Sequence, residues 1–210
     1  MKKEEIIGVI TGDLINSSAI NDELKVKLKD ELFGFTKNNP NVLLPLQFYR
    51  GDSFQLMCNK EKAVWLAVLI QSVIISTAGT LARISIGIGK ASNIHADDVL
   101  QSEGEAFLLS GHQLDEMKGE DRILKIAVGN AEIQPNLDVA TLLAESIVKG
   151  WKPGQASVIS LTPGSVTQRN IAARLKISPA AVSKTLKASN WAAIEQYLIW
   201  VENLLTTKLS

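Results

Sequence analysis

A single cysteine in 210 residues leaves Cys58 without a partner, so no disulfide within the chain can hold the fold together. That scarcity points to a reducing compartment, and the expected location is cytoplasmic. Its N-terminus, MKKEEIIGVITGD, pairs two lysines with Glu4 and Glu5, and its apolar run ends at Asp13, too short for a secretion signal. The longest apolar stretch, Ala63 to Ala78, is broken by Gln71, Ser72 and Ser76 and reads as a buried helix rather than a membrane span. Histidine is nearly absent: His95 and His112 have no cysteine or carboxylate at metal spacing, which excludes a zinc site. Phosphate loops are missing too. "GIGKAS" has Ile84 where a P-loop needs glycine, and Ser92 where a dinucleotide fingerprint needs its third.

Net charge is also missing, with 22 basic and 22 acidic residues, but the zero conceals a division. Residues 1–145 carry 14 Lys+Arg against 20 Asp+Glu; residues 146–194 carry seven basic side chains and no acidic one. An acid-free block in a neutral chain is the footprint of a polyanion-facing module.

What is present reads as two units. Ile6–Ile10 is a buried strand ending at Gly12-Asp13, and Asn21–Lys37 places Leu24, Leu28, Leu32 and Phe35 at helical spacing. Val42–Tyr49 and Phe54–Asn59 flank Gly51-Asp52 as a hairpin, and Lys60–Thr77 is a helix ended by Gly79. Leu81–Lys90 alternates as a strand with one small face, Asp97–Met117 reads as helix, and Arg122–Val128 as a fifth strand. The order βαββαβ followed by αβ predicts an α+β fold, a ferredoxin-like palm with an antiparallel sheet and helices on one face. After residue 129 the pattern turns helical: Leu137–Lys149, a turn over Trp151–Gly154, a short apolar Ser157–Leu161, then helix from Thr167 onward. The expected domains are 1–132, the palm, and 137–210, an all-α (winged) helix-turn-helix domain.

VTQRNIAARLKISPAAVSKTLKASNW carries the most specific local pattern. Thr167 is placed to cap one helix and Ser178 a second, with Pro179 at its first position. Ile171, Ala172, Leu175, Val182 and Leu186 face inward, leaving Ala180, Ser183, Lys184 and Lys187 outward, as a helix lying in a major groove requires. Lys176 stands where a helix-turn-helix usually has glycine, and must take the left-handed conformation. The DNA-contacting set read from this segment is Thr167, Gln168, Arg169, Arg174, Lys176, Ser178, Ala180, Ser183, Lys184 and Lys187. The alternative is a helical hairpin that packs without touching DNA.

Asp13 ends the first strand and Asp52 sits at the hairpin tip, positions that a palm brings close; two hard carboxylates there suit Mg²⁺. Either can equally be structural, Asp52 as a turn residue and Asp13 satisfied by the loop Leu14–Ser17. Arg50-Gly51-Asp52 also spells an adhesion tripeptide, which matters only outside a cell.

"VITGDLINS", "YRGDSFQLM", "ARISIGIGKAS" and "GEAFLLSGHQL" resemble the motif order of the class III nucleotidyl cyclase core, and the hairpin looks like that of diguanylate cyclases. The resemblance implies that Asp13 and Asp52 sit where cyclases hold their metals. Leu108 and His112 stand where cyclases place Asn and Arg on the following helix, and the substrate-reading lysine is replaced near Gln47 and Phe48. The electrostatic stabilisation of a transferring phosphate is missing, so no catalytic residue is assigned and an enzyme is not expected. Over nearly the whole chain, "GDLINS", "RGDSFQ", "RISIGIG", "GEAF" and the tail from "WKPGQ" through "AAVSKTLK" resemble the SatD family, with Ser18 where that family has arginine. This resemblance implies a palm followed by a helix-turn-helix. The function expected is a DNA-binding transcriptional regulator with a catalytically degenerate sensor or assembly palm, working as a homodimer on DNA and taking a nucleotide or other small effector. The alternative is a Mg²⁺-dependent nucleotide-binding or nucleotidyl-transfer protein using Asp13 and Asp52.

Overall fold

The computed structural model describes residues 5–162 and 166–209; the two N-terminal lysines and Glu4 lie outside them. Strand β1 (Ile6–Leu14) is the centre of the sheet. It pairs antiparallel with β3 (Ser53–Asn59) on one side and with β4 (Ala82–His95) on the other, and β2 (Val42–Tyr49) lies outside β3. Helices α1 (Asp22–Lys37) and α2 (Ala63–Ala78) make the crossovers. The antiparallel order β2-β3-β1-β4 is the ferredoxin-like arrangement within a mixed α/β fold.

The far edge of β4 differs from the sequence expectation. β4 runs on to His95 and turns into β5 (Asp98–Gly104), where helical periodicity suggested a helix from Asp97. Helix α3 is confined to Glu105–Met117. Gly104 sets that start: its φ is +148°, and an added Cβ would stand 2.5 Å from the Lys90 carbonyl oxygen. Strand β6 (Leu124–Val128) pairs parallel with Ile84–Ile88, along the first half of β4.

Helices cover both faces of the sheet, a second correction. Ile10, Phe54, Leu56, Ile84 and Ile86 pack against Leu28 and Leu32 of α1 and against α2. Ile7, Val9 and Met57 on the opposite face meet Ala106 and Phe107 of α3. The small face of β4 is what admits α3, because a Cβ at Gly87 would lie 2.1 Å from the Ala106 carbonyl oxygen. By length and composition Lys60–Ala78 is apolar enough to cross a membrane, yet 67% of its most apolar 18-residue window is buried here, in keeping with a buried helix. Each Leu or Ile wholly enclosed in this layer contributes about 1.5–3 kcal/mol.

The C-terminal half is helical: α4 (Gln134–Val148), α5 (Pro153–Ile159), α6 (Gln168–Leu175), α7 (Pro179–Ala188) and α8 (Trp191–Lys208). Residues 153–159, read as turn and short apolar run, form α5 because Pro153 opens it and the Gln155 side chain accepts from the Lys152 N–H at 2.8 Å. Trp151, Ile159, Trp191, Ile194, Leu198 and Val201 join the same apolar cluster as α2. Trp191 lies between Trp65 and Trp151, with ring centroids 6.3 Å apart on each side. Glu202 of α8 accepts from the Trp65 indole N–H at 3.0 Å and pairs with Lys62. Only a small cluster, Ile171, Ala172 and Val182 with Val158 of α5, belongs to α6 and α7.

Candidate nucleic-acid interface and carboxylate pair

Thr167 Oγ1 accepts from the Asn170 N–H at 3.3 Å, and Ser178 Oγ accepts from the Ala181 N–H at 3.1 Å, so both expected caps form. Lys176 closes α6 at φ +55°, ψ +42°, the left-handed conformation its place demanded, and the Ile177 N–H donates to the Ala172 carbonyl at 3.0 Å. Val182 is wholly enclosed against Ile171 and Ala172, which fixes the roll of α7. Ala180, Ser183, Lys184 and Lys187 are thereby exposed, and so are Thr167, Gln168, Arg169, Arg174, Lys176 and Ser178.

Ion pairing separates these cations from Arg122 and Lys149. Lys149 is drawn onto Asp121 at 3.1 Å and lies 3.7 Å from Glu145, and Arg122 meets Glu145 at 2.8 Å. Among the described residues Arg169, Arg174, Lys176, Lys184 and Lys187 form no ion pair. Arg174 differs in one respect: it lines a cleft of about 520 Å³ whose other wall includes Asp30 and Glu31 of α1. The remaining four lie on the start of α6, the turn and α7.

The second candidate lies at one end of the sheet. Asp13 is opposite Ser53 on β3 and opposite Arg83 on β4. The left-handed pair in the hairpin is Arg50 (φ +49°) and Gly51 (φ +86°), one position earlier than the Gly-Asp reading, and Tyr49 pairs with Ser53. The loop is therefore three residues long, and Asp52 is its last. Ser17 Oγ donates to Asp52 Oδ2 at 2.5 Å, and the Leu14 N–H donates to the Asp52 carbonyl at 3.3 Å. Arg83 Nη1 donates to Asp13 Oδ2 at 3.1 Å. Asp13 Oδ1 is buried and has no hydrogen-bond partner. Burial raises the Asp13 carboxyl above its ordinary range, against the lowering pull of Arg83 and Lys118; Asp52 adds a further upward push.

Does this pair fit a divalent cation? The orphaned Oδ1 is the atom such an ion would satisfy, while Arg83 and Ser17 already engage an oxygen of each carboxylate. Among the described residues no group of three or more His, Cys, Asp or Glu is disposed to hold a metal. Water or a phosphate would have to complete the coordination. Arg83, Ser17 and Lys118 were not foreseen. Alternation put Arg83 on the small face of β4, but only the strand register sets it opposite Asp13. Leu108 and His112 are exposed on α3, while Ser110, between them, is buried and bonded to Thr11 at 2.8 Å.

A family model described as the SatD family matches residues 7–199. No curated protein matches the sequence. Solved structures that align with the chain include a bacterial light-regulated adenylyl cyclase, at TM-score 0.40 and 13% identity, over 60% of this chain and 44% of that one. The guanylyl cyclase Cya2 aligns at TM-score 0.33 and 17% identity, over 54% of this chain and 71% of the other. A Csm1-Csm4 cassette in complex with cA4 aligns at TM-score 0.36 and 12% identity, over 93% of this chain and 36% of that one. The chain thus spans less than half the length of the adenylyl cyclase.

Proposed function

We propose, for a chain that belongs to the SatD family, that it is a cytoplasmic DNA-binding regulator in which α6 and α7 form a helix-turn-helix. The observation that carries this reading is the set of exposed cations on α6, the turn and α7 that no acidic side chain among the described residues neutralises. Lys62, Arg83, Arg122, Lys125 and Lys149 are held by carboxylates, whereas these exposed cations stand together on one helix pair, open to a polyanion. In this reading α7 enters the major groove, with Ala180 and Ser183 at the base edges and Lys184 and Lys187 on phosphates. Thr167, Gln168 and Arg169 open α6, whose exposed N–H groups favour a phosphate oxygen. The sheet domain, cyclase-like in its motif order, would be a catalytically silent sensor or assembly domain, because Leu108 and His112 replace the Asn and Arg that cyclase chemistry uses.

The test is a salt titration of binding to mixed-sequence duplex DNA. Binding should weaken linearly in log-log form, and the Lys184→Ala/Lys187→Ala variant should bind more weakly with a slope reduced by about 2. No binding at low salt, or an unaltered slope in the variant, would overturn the reading.

A second reading is favoured by the orphaned oxygen of Asp13: with Asp52 it would hold Mg²⁺ and the phosphates of a nucleotide. Calorimetry with a nucleoside triphosphate and magnesium separates the two, and identical heats from Asp13→Asn would remove this one.

A further inference from the structure

Helices α4 and α8 carry an apolar surface that the fold leaves open. Val139, Leu142 and Leu143 are 62%, 48% and 66% exposed on α4, and Ile199 and Trp200 are 41% and 39% exposed on α8. Between the helices runs a groove of about 390 Å³, in which small side chains (Ala140, Ala144, Ala193) alternate with the projecting Leu143 and Trp200. Its polar members are few. Gln196 is one, and the Tyr197 hydroxyl is already bonded to Thr141 Oγ1 at 2.8 Å.

We infer that this face pairs with its equivalent on a second copy of the chain, across a two-fold axis, so that Trp200 of each copy enters the small-residue groove of the other. Charge argues against the other large occupants. Every charged residue within four positions of those five exposed side chains, along either helix, is acidic: Asp138, Glu145, Glu195 and Glu202. An anionic membrane or a nucleic acid needs a basic rim, and this face has none. Of the four acids, Glu145 is enclosed with Arg122 and Glu202 is held by Lys62 and Trp65, so only Asp138 and Glu195 would meet their equivalents without a cation, and the groove itself is uncharged.

Area argues the same way. The five side chains expose on the order of 500 Å² of apolar surface, at the upper end for the largest patch of an ordinary monomer. That is most of the roughly 800 Å² per partner that a standard interface buries. A surface holding both projections and hollows closes at two copies by isologous pairing, where each copy supplies both. The pairing deepens the regulator reading and draws its purpose from it: α8 follows α7 directly, so joining two α8 helices sets two α7 helices in a fixed relation, as paired half-sites require.

Sedimentation of the full chain tests this. The wild type is expected to be a dimer, and Leu143→Glu and Trp200→Glu are each expected to raise the dissociation constant by about 30-fold or more, the loss of one interface hot spot. Both positions are exposed in the single copy, so circular dichroism and melting of the variants should match a monomer of unchanged fold. A wild-type monomer, or a dimer untouched by both substitutions, would overturn the inference, and a monomer that floats with zwitterionic vesicles would do so in favour of a lipid surface. The DNA titration keeps the two proposals apart. A monomer that binds duplex refutes the pairing and leaves the regulator reading standing. A dimer dispersed by Leu143→Glu that ignores duplex does the reverse.

Discussion

Glu145 offers the sharpest test of how the C-terminal helices are seated on the sheet. It is 1% exposed, on α4, and its carboxylate meets three donors and one nearby ammonium. Arg122 Nε lies at 2.8 Å from one oxygen, the N–H groups of Ile123 and Leu124 lie at 3.3 and 3.0 Å from the other, and Lys149 stands at 3.7 Å. Glu145→Gln keeps the volume, so no cavity confounds the result. It replaces an acceptor with an NH₂ that must face either the guanidinium or the two backbone N–H groups. A charge-assisted bond is lost and at least one enclosed donor is left unmatched. Breaking such a site costs about 3–5 kcal/mol, which for a chain of this size lowers the melting temperature by roughly 6–20 °C. Urea unfolding followed by circular dichroism measures it. Arg122→Met is the companion: it leaves the carboxylate with both backbone donors and Lys149, and should cost less than Glu145→Gln. A loss under about 1 kcal/mol for Glu145→Gln, or the reverse ranking, would refute the reasoning, because the acceptor role would then be carried elsewhere.

Two further outcomes follow from backbone and burial. Lys176→Gly should stabilise the chain by about 1 kcal/mol, since a side chain at φ +55° is strained and glycine is not; a lowered melting temperature would contradict this. Asp13 has a raised carboxyl pKa because it is buried. The folded protein therefore holds that proton more tightly than the unfolded chain, a contribution present in acid and lost as pH rises through the raised value. Asp13→Asn lacks the dependence, so its stability relative to wild type should grow as pH rises above about 4, the unfolded carboxyl range, in denaturant melts. Parallel curves would show that the buried carboxylate carries no such penalty.

Much of the fold was legible because its signals are local. The hydrophobic period of α1, the Gly79 stop, the caps Thr167 and Ser178 and the βαββαβ order each depend on residues a few positions apart. What was not legible depends on pairing at a distance. "DDVLQSEGEAF" has acceptable helical spacing throughout, and only the approach of Gly104 to the Lys90 carbonyl divides it into β5 and α3. Residues 153–159 are too short for periodicity to declare a helix, and their packing on α2 decides it. In the carboxylate site, Asp13 and Asp52 were visible as acids next to glycine. Arg83 and Ser17, which engage them, lie 70 and 35 positions away from those partners and come together only through register and loop path.

The indole cluster at the join between α2, α5 and α8 makes the molecule its own optical gauge. Trp65, Trp191 and Trp151 are three of the four tryptophans in the chain, and they touch in series. Any loosening of the helical half from the sheet layer must separate chromophores that are coupled only while docked. Near-ultraviolet ellipticity would register that separation even if every helix stayed wound, whereas Trp200, set apart on the outer surface, would report events on that side alone.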